Sequence, residues 1–171
     1  MDVRVVDEQG NDVLPGQVGE IIAKGDRLMK GYWKAPKLTE EVIKGGYLYT
    51  GDLATIDEDG YIYLVGRQKD VITTGGKVIS PSEVEDILYH HPAILEAAVI
   101  GVPDESLGEA VKAIIVLREG ERTSKEELIS LCQQNLPPFA VPKSVDFVDT
   151  LPKSAVGKIQ KHILREGYVK P

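Results

Sequence analysis

Residues 75–88 read Gly-Gly-Lys-Val-Ile-Ser-Pro-Ser-Glu-Val-Glu-Asp-Ile-Leu, and the hydrophobic pattern changes within this stretch. Before Gly76 the sequence consists of short β-rich runs separated by glycine-rich turns, and helix signals are scarce. After it, Ser80-Pro81-Ser82-Glu83 has the form of a capping box with proline at the first helical position, and apolar residues follow at helical spacing. The stretch predicts a helix over 81–89 and a change from a β-rich part to an α+β part.

The elements predicted on either side of this boundary define an α+β fold class. Strands are expected at 3–6, 20–23, 46–54, 61–65, 94–102, 110–117 and 144–148, and further helices at 124–134 and 159–166. Asp57-Glu58-Asp59-Gly60 is typical of a hairpin turn, and Ser124-Lys125-Glu126-Glu127 of a second capping box. We therefore predict a β-rich segment over 1–68, which is incomplete, and a small α+β domain over 69–171 with a hairpin and about three strands packed with helices.

Composition narrows the classes of function. The 171 residues are 42% hydrophobic and carry 27 acidic and 20 basic side chains, so the net charge of −7 argues against a nucleic-acid partner. A lone cysteine, Cys132, excludes an internal disulfide and suits packing in a reducing compartment. The sequence contains no apolar run of membrane-spanning length and no signal pattern at Met1, which predicts a cytoplasmic protein. The three histidines lack metal-ligand spacing with Cys132, so no protein-bound metal is expected.

Two segments of the β-rich part carry groups suited to a nucleotide. In Thr50-Gly51-Asp52 the glycine permits close approach of a ligand, and one carboxylate can accept hydrogen bonds from both hydroxyls of a ribose. In Gly66-Arg67-Gln68-Lys69-Asp70, Arg67 offers a planar fork of donors for a ribose or phosphate. Taken alone, a solvated aspartate at a strand end and a solvated linker turn explain the two segments better.

Two more segments lie in the α+β part. Thr73-Thr74-Gly75-Gly76-Lys77 could admit a thin ligand against bare backbone, although hairpin glycines usually serve only positive φ. Leu151-Pro152-Lys153-Ser154-Ala155-Val156-Gly157-Lys158 presents two lysines on a flexible loop, which suits charge neutralisation on a transferring phosphoryl group. A solvated basic loop explains this last segment equally well.

The ordered set of segments resembles the C-terminal half of the adenylate-forming enzymes, which include acyl-CoA synthetases, peptide-synthetase adenylation domains and luciferases. The resemblance extends to Gly19-Glu20-Ile21 with Lys30-Gly31-Tyr32-Trp33, and to Leu136-Pro137-Pro138-Phe139-Ala140-Val141-Pro142. It covers essentially the whole chain. It implies that 1–68 is the C-terminal end of the large AMP-binding domain and that 69–171 is the mobile C-terminal domain.

The resemblance implies a two-step reaction, in which a carboxylate attacks the α-phosphate of ATP and a thiol then attacks the acyl-adenylate. Asp52 and Arg67 would hold the ribose hydroxyls of ATP or AMP, and Lys158 would be the catalytic lysine of adenylation. Lys69 occupies the family's hinge position, where a torsion would reorient the following domain.

The thiol site is implied in the same way. Gly76 would line the pantetheine tunnel, with Gly75 and Lys77 as weaker candidates. The segments around 75–85 and 91–104 look more like acyl-CoA synthetases than amino-acid adenylation domains, which favours CoA as the acceptor. A peptide-synthetase-type adenylation domain and a noncatalytic binding or regulatory module remain the alternatives.

Several parts of the family pattern are absent from the sequence. The phosphate-binding loop, the adenine-stacking segment and the glutamate expected to hold Mg²⁺ belong to upstream residues in full-length members. We therefore expect an excised piece of a longer enzyme, unable to catalyse the complete reaction alone, in which ATP and Mg²⁺ are bound mainly by the missing part. The carboxylic acid substrate is left open. Lys158 also resembles the site at which some acyl-CoA synthetases are acetylated, which implies a lysine acetyltransferase and deacetylase as partners.

Overall fold

The computed structural model describes residues 1–168, and the chain divides into two compact units, Met1–Lys69 and Asp70–Pro171. Residues 169–171 of the second predicted domain lie outside the described residues. Within the described part, no helix is long and apolar enough to cross a membrane.

The first unit is a five-stranded antiparallel sheet with one short helix. Its elements are β1 (Asp2–Val6), β2 (Val18–Lys24), α1 (Pro36–Val42), β3 (Ile43–Lys44), β4 (Tyr47–Ile56) and β5 (Ile62–Arg67). The strand order is β1-β2-β4-β3, and β5 also pairs with β4. The predicted turn at 57–60 forms the β4–β5 hairpin: Gly60 has a φ of +85°, and the Asp57 carboxylate accepts hydrogen bonds from the backbone N–H groups of Asp59 and Tyr61. The bond from the Tyr61 N–H is the main cause that holds the pKa of Asp57 below its ordinary value.

The second unit is an α+β layer structure around another five-stranded sheet. Its elements are β6 (Ile72–Thr74), β7 (Lys77–Ile79), α2 (Pro81–Tyr89), β8 (Ile94–Asp104), β9 (Gly108–Leu117), α3 (Lys125–Asn135), β10 (Ser144–Phe147) and α4 (Lys161–Glu166). The long β8–β9 hairpin forms its centre, and β10 runs parallel to β9. The β6–β7 hairpin joins the same sheet through the pair Thr74–Gly108, so it is an extension of the sheet and not a separate layer. The predicted α+β class is confirmed.

Alternation along β8 and β9 produces a core on each face of this sheet. On one face, α2 and α3 cover a cluster that includes Val84, Leu88, Val99, Ala113, Ile115, Leu128 and Cys132. On the other face, Ala98, Ile100, Ile114, Val116 and Leu151 form a second cluster, against which Ile159 and Leu164 pack. The second cluster anchors the segment that leads to Lys158. Burial raises the pKa of the Cys132 thiol to about 11, which fits a packing role and not a reactive one.

The two predicted capping boxes have different outcomes. In the second, the N–H of Glu127 donates to Ser124 Oγ at 3.1 Å, as predicted, but the Glu127 carboxylate accepts from Thr123 Oγ1 instead of closing the box. The first prediction is wrong, because Ser80 makes no side-chain capping bond and its hydroxyl pairs with Ser82 Oγ at 2.9 Å. The helix nevertheless begins at the proline, as its sequence indicated.

Candidate active site

The segment Thr50-Gly51-Asp52 forms a bulge in β4. Glu20 of β2 pairs with Leu53 and Ile22 pairs with Tyr49, so the segment fits between partners that are only two residues apart on β2. Bulges of this kind kink a strand and re-aim its side chains, and they occur often beside functional sites. The bulge therefore gives the predicted nucleotide segment a defined shape.

Three hydrogen bonds fix the bulge. Thr50 Oγ1 donates to the carbonyl of Ile21 at 2.8 Å and accepts from the N–H of Asp52 at 3.1 Å. The N–H of Gly51 donates to the Glu20 carboxylate at 2.8 Å, and Gly51 has a φ of +72°. That φ is disfavoured for residues with a Cβ, so glycine is required here by backbone conformation.

Asp52 and Arg67 face each other across the β4–β5 ladder. They are register partners, and Arg67 Nε donates to Asp52 Oδ1 at 2.8 Å. The Arg67 side chain is 56% exposed and that of Asp52 is 36% exposed, so both can contact a ligand from solvent. Among residues 1–168, neither charged group makes a further hydrogen bond, which leaves the second carboxylate oxygen and the terminal guanidinium nitrogens available. The pair adjoins a concave region of the same unit that Glu20, Tyr49, Thr50, Gly51, Arg67 and Gln68 help to line.

Lys158 lies in a small hairpin between Leu151, which is buried, and Ile159, which is partly buried. Lys153 and Ile159 form an antiparallel bridge, and the N–H of Gln160 donates to the Pro152 carbonyl at 2.8 Å. The turn is closed by the N–H of Gly157, which donates to the carbonyl of Ser154 at 2.9 Å. Because neighbouring residues of a strand point to opposite faces, Ile159 packs inward while Lys158 projects into solvent.

The Lys158 ammonium differs from its lysine neighbours in the hairpin region. Lys153 and Lys161 form ion pairs, whereas Lys158 has no ion-pair partner among the described residues. An exposed lysine on a hairpin with fixed ends is suited to enter a site formed by another part of a protein.

Lys69 lies between two fixed points of the backbone. On its N-terminal side, the N–H of Gln68 donates to the Gly51 carbonyl at 2.8 Å. On its C-terminal side, Arg165 Nη2 donates to the Asp70 carbonyl at 2.8 Å. Lys69 is thus the residue at which the chain leaves the first unit, and its backbone torsions separate two anchored segments.

Gly75 and Gly76 form the two-residue turn of the β6–β7 hairpin. Their φ values are +52° and +75°, as a turn of this hand requires at both positions. The turn alone accounts for both glycines. A Cβ at Gly76 would meet nothing within 4 Å, so the turn leaves one bare face open, and Lys77 beside it is exposed.

The chain is similar to known proteins in both sequence and structure. Residues 83–158 match the family described as the AMP-binding enzyme C-terminal domain, so the match ends on Lys158. The chain belongs to the adenylate-forming superfamily. A long-chain-fatty-acid–CoA ligase of Escherichia coli O6:H1 is 45% identical over 165 residues, which are 96% of this chain and 29% of the ligase. A feruloyl-CoA synthase of an Amycolatopsis species is 45% identical over 167 residues, 98% of this chain and 34% of the synthase.

A solved structure agrees at the level of fold. ATP-bound MatB from Rhodopseudomonas palustris superposes with a TM-score of 0.85 at 40% identity, covering 98% of this chain and 34% of MatB. The chain thus spans about a third or less of the length of these adenylate-forming relatives.

Several residues of this adenylate-forming chain emerge only from the structure. Glu20 holds the Gly51 amide, Glu96 pairs with Lys153, and Glu85 pairs with Lys161. Glu85 lies in the Pro-Ser-Glu-Val-Glu motif beside buried Val84, and that position at the margin of a buried helix face was its only sequence signal.

Within residues 1–168, no group of three or more His, Cys, Asp or Glu side chains could hold a metal ion. These residues do not fit a Mg²⁺ site.

Proposed function

We propose that this chain is part of an AMP-forming acid:CoA ligase that activates a carboxylic acid with ATP and transfers the acyl group to CoA. The curated relatives support the acceptor, since a fatty-acid ligase and a feruloyl-CoA synthase share CoA while their acids differ greatly. Both are 45% identical to this chain. Equal likeness to enzymes of unlike acids supports the proposal that the acid is selected by residues outside this chain.

The proposed reaction has two steps, adenylation and thioester formation. In adenylation, a carboxylate oxygen of the acid forms a bond to the α-phosphorus of ATP, and the bond from that phosphorus to the bridging oxygen breaks to release pyrophosphate. In thioester formation, the CoA thiol loses its proton to solvent, its sulfur attacks the acyl carbon, and the bond from that carbon to the AMP oxygen breaks to release AMP. Negative charge on the phosphoryl oxygens is the main electrostatic demand of the first step.

The observation that carries the proposal is the exposed Lys158 ammonium, which has no ion-pair partner in the described part of the chain, at the end of the family match. A cation that contacts the phosphoryl oxygens only when its loop enters the site stabilises the transition state more than the ground state. Acetylation of Lys158 by a lysine acetyltransferase would remove this cation and would inhibit the first step selectively, until a deacetylase restored it.

Asp52 and Arg67 are proposed to hold the ribose. The free oxygen of Asp52 can accept from a ribose hydroxyl while Arg67 keeps the carboxylate in place through its 2.8 Å bond. The bulge at Gly51 lets a ligand approach the backbone beside them.

The same proposal gives roles to the residues around the unit boundary. Torsion at Lys69 would reorient Asp70 and everything after it, exchanging the Lys158 hairpin for the Gly75–Gly76 turn. The open face of Gly76 suits a narrow thiol arm, and the exposed ammonium of Lys77 suits the phosphates of CoA.

Exposed apolar side chains support the proposal that the first unit is the end of a larger domain. Trp33 is 87% exposed and Leu64 is 73% exposed, and further examples are Leu14, Tyr32, Tyr61 and Tyr63. Large apolar side chains exposed in this number on a small unit are expected where the unit packs against more protein.

The first test compares Lys158→Ala with the unaltered full-length enzyme in the two half-reactions. We expect acid-dependent exchange of pyrophosphate into ATP to fall by about 10²–10³-fold, as for loss of one charge-stabilising group. Transfer from a prepared acyl-adenylate to CoA should change by less than about threefold, because charge no longer develops on a transferring phosphoryl group. An unaltered exchange rate would move the catalytic cation to another residue.

A further inference from the structure

Two ion pairs bracket the Lys158 hairpin. On its N-terminal side, Lys153 Nζ pairs with the Glu96 carboxylate of β8. On its C-terminal side, Lys161 Nζ lies 2.7 Å from Glu85 Oε1 of α2. An ion pair on each side of Lys158 therefore ties the hairpin to the rest of the second unit.

The Glu85 side chain extends from α2 to the edge of the central sheet, which is formed by β8. Its Oε1 accepts a hydrogen bond of 2.7 Å from the N–H of Val99, a residue of β8 with no exposed surface. The same oxygen receives the Lys161 ammonium, and both side chains are largely buried, with 15% and 17% exposed. Burial raises the pKa of the Glu85 carboxyl, and the Lys161 ammonium acts in the opposite direction. One carboxylate thus joins a helix on one face of the sheet, the sheet edge, and the segment after Lys158.

Glu96 holds the other end from a different position. It lies on β8 two residues before Ala98 and shares its face, on which the hairpin anchors Leu151 and Ile159 pack. The Glu96 and Lys153 side chains are 24% and 40% exposed, so this tie is more solvated than the one at Glu85.

We propose that Glu85 and Glu96 are positioning residues for adenylation, which hold the hairpin through Lys161 and Lys153 so that the Lys158 ammonium reaches the transferring phosphoryl group in one geometry. The inference rests on the proposed catalytic role of Lys158. In this role, neither glutamate contacts the substrate.

The physical need for such ties follows from the hairpin itself. Its turn contains Gly157 in a positive-φ conformation, and Ala155 and Val156 at its tip are exposed, so the turn has few contacts of its own. A long lysine side chain has many rotamers, and a misplacement of about 1 Å in a positioned group can reduce a rate by about 10²-fold. Fixing both ends of the hairpin removes the largest backbone contribution to that misplacement.

The test measures both half-reactions of the full-length enzyme with Glu85→Gln, Lys158→Ala and a control, Glu127→Gln. Glu127 also pairs with a basic side chain, His91, in the same unit but does not contact the hairpin. We expect Glu85→Gln to lower kcat of adenylation by about 10–100-fold with little change in KM for ATP, because placement and not binding is lost. Acyl transfer to CoA should stay within about twofold, and Glu127→Gln should leave both steps unchanged.

A charge exchange at the other end separates pairing from general stability. Glu96→Lys and Lys153→Glu should each slow adenylation, and the double variant should recover most of the rate because the exposed pair re-forms with opposite sign. This set of variants also tests the positioning role if Glu85→Gln does not fold.

The outcomes separate the proposed role of Lys158 from the positioning role of Glu85 and Glu96. If Lys158→Ala does not slow adenylation, the proposed role of Lys158 fails. If Lys158→Ala slows it but the Glu85 and Glu96 variants behave like Glu127→Gln, or if they slow both half-reactions equally, the positioning role is overturned while that of Lys158 stands.

Discussion

At the scale of the residue, Gly51 shows how one backbone conformation shapes the proposed nucleotide site. Its φ of +72° lies in the β4 bulge, where its N–H meets Glu20 and the next residue meets Arg67. We expect Gly51→Ala to destabilise the first unit by about 1–2 kcal/mol, because an L residue resists this conformation. Equilibrium urea unfolding would measure the loss, and the same change should weaken ATP binding by the full-length enzyme several-fold.

The matched control for this prediction is Gly60→Ala. Gly60 has a similar φ of +85°, and a Cβ there would meet nothing within 4 Å. It should therefore show a similar loss of stability with no effect on ATP affinity. Equal effects of both variants on ATP affinity would mean that the bulge does not shape the site.

The residues of the candidate site were predictable from the sequence, but the contacts between them were not. Thr50-Gly51-Asp52 and Arg67 stand out in the sequence, but their pairing depends on the bulge that sets the register of β4. Glu85 was hidden for a similar reason, since its partners come from a strand edge 14 residues later and from α4. Contacts between distant segments are decided by packing, which single-sequence patterns do not encode.

At the scale of the element, the two helix starts of the second unit give a paired test. Ser124 accepts from the N–H of Glu127, whereas Ser80 makes no capping bond. We expect Ser124→Ala to lower the free energy of unfolding by about 1 kcal/mol, and Ser80→Ala to lower it by less than about half of that. Urea titration of both variants would measure the difference, and an equal or larger loss for Ser80→Ala would contradict the assignment of the caps.

The longer elements of both units were predictable, because each repeats its hydrophobic pattern over a buried face. Helix α2 has the predicted bounds of 81–89, and β8 extends only two residues past its prediction. Helix α1 was missed because none of its residues is buried, so it has no apolar stripe to detect. The first capping box failed because its serine hydroxyl found a closer partner in Ser82.

At the scale of the whole molecule, the proposed hinge is the single residue Lys69 at the boundary between the two units. The Gln68 N–H is held by Gly51 and the Asp70 carbonyl is held by Arg165, so the torsions of Lys69 lie between two anchored backbone groups. A change of those torsions would carry the Lys158 hairpin and the Gly75–Gly76 turn together, because both belong to the unit that begins at Asp70.

Lys69→Pro tests this arrangement, since proline fixes φ near −65° and restricts the residue before it. If the two half-reactions need different torsions at this position, the variant should retain one step and lose most of the other, while Lys69→Ala keeps its torsional freedom and should retain both. Separate assays of pyrophosphate exchange and of acyl transfer from a prepared acyl-adenylate would measure the effect in the full-length enzyme. Normal rates of both steps in Lys69→Pro would mean that the reorientation occurs elsewhere in the chain, whereas equal loss in Lys69→Ala would assign the effect to the side chain instead of the backbone.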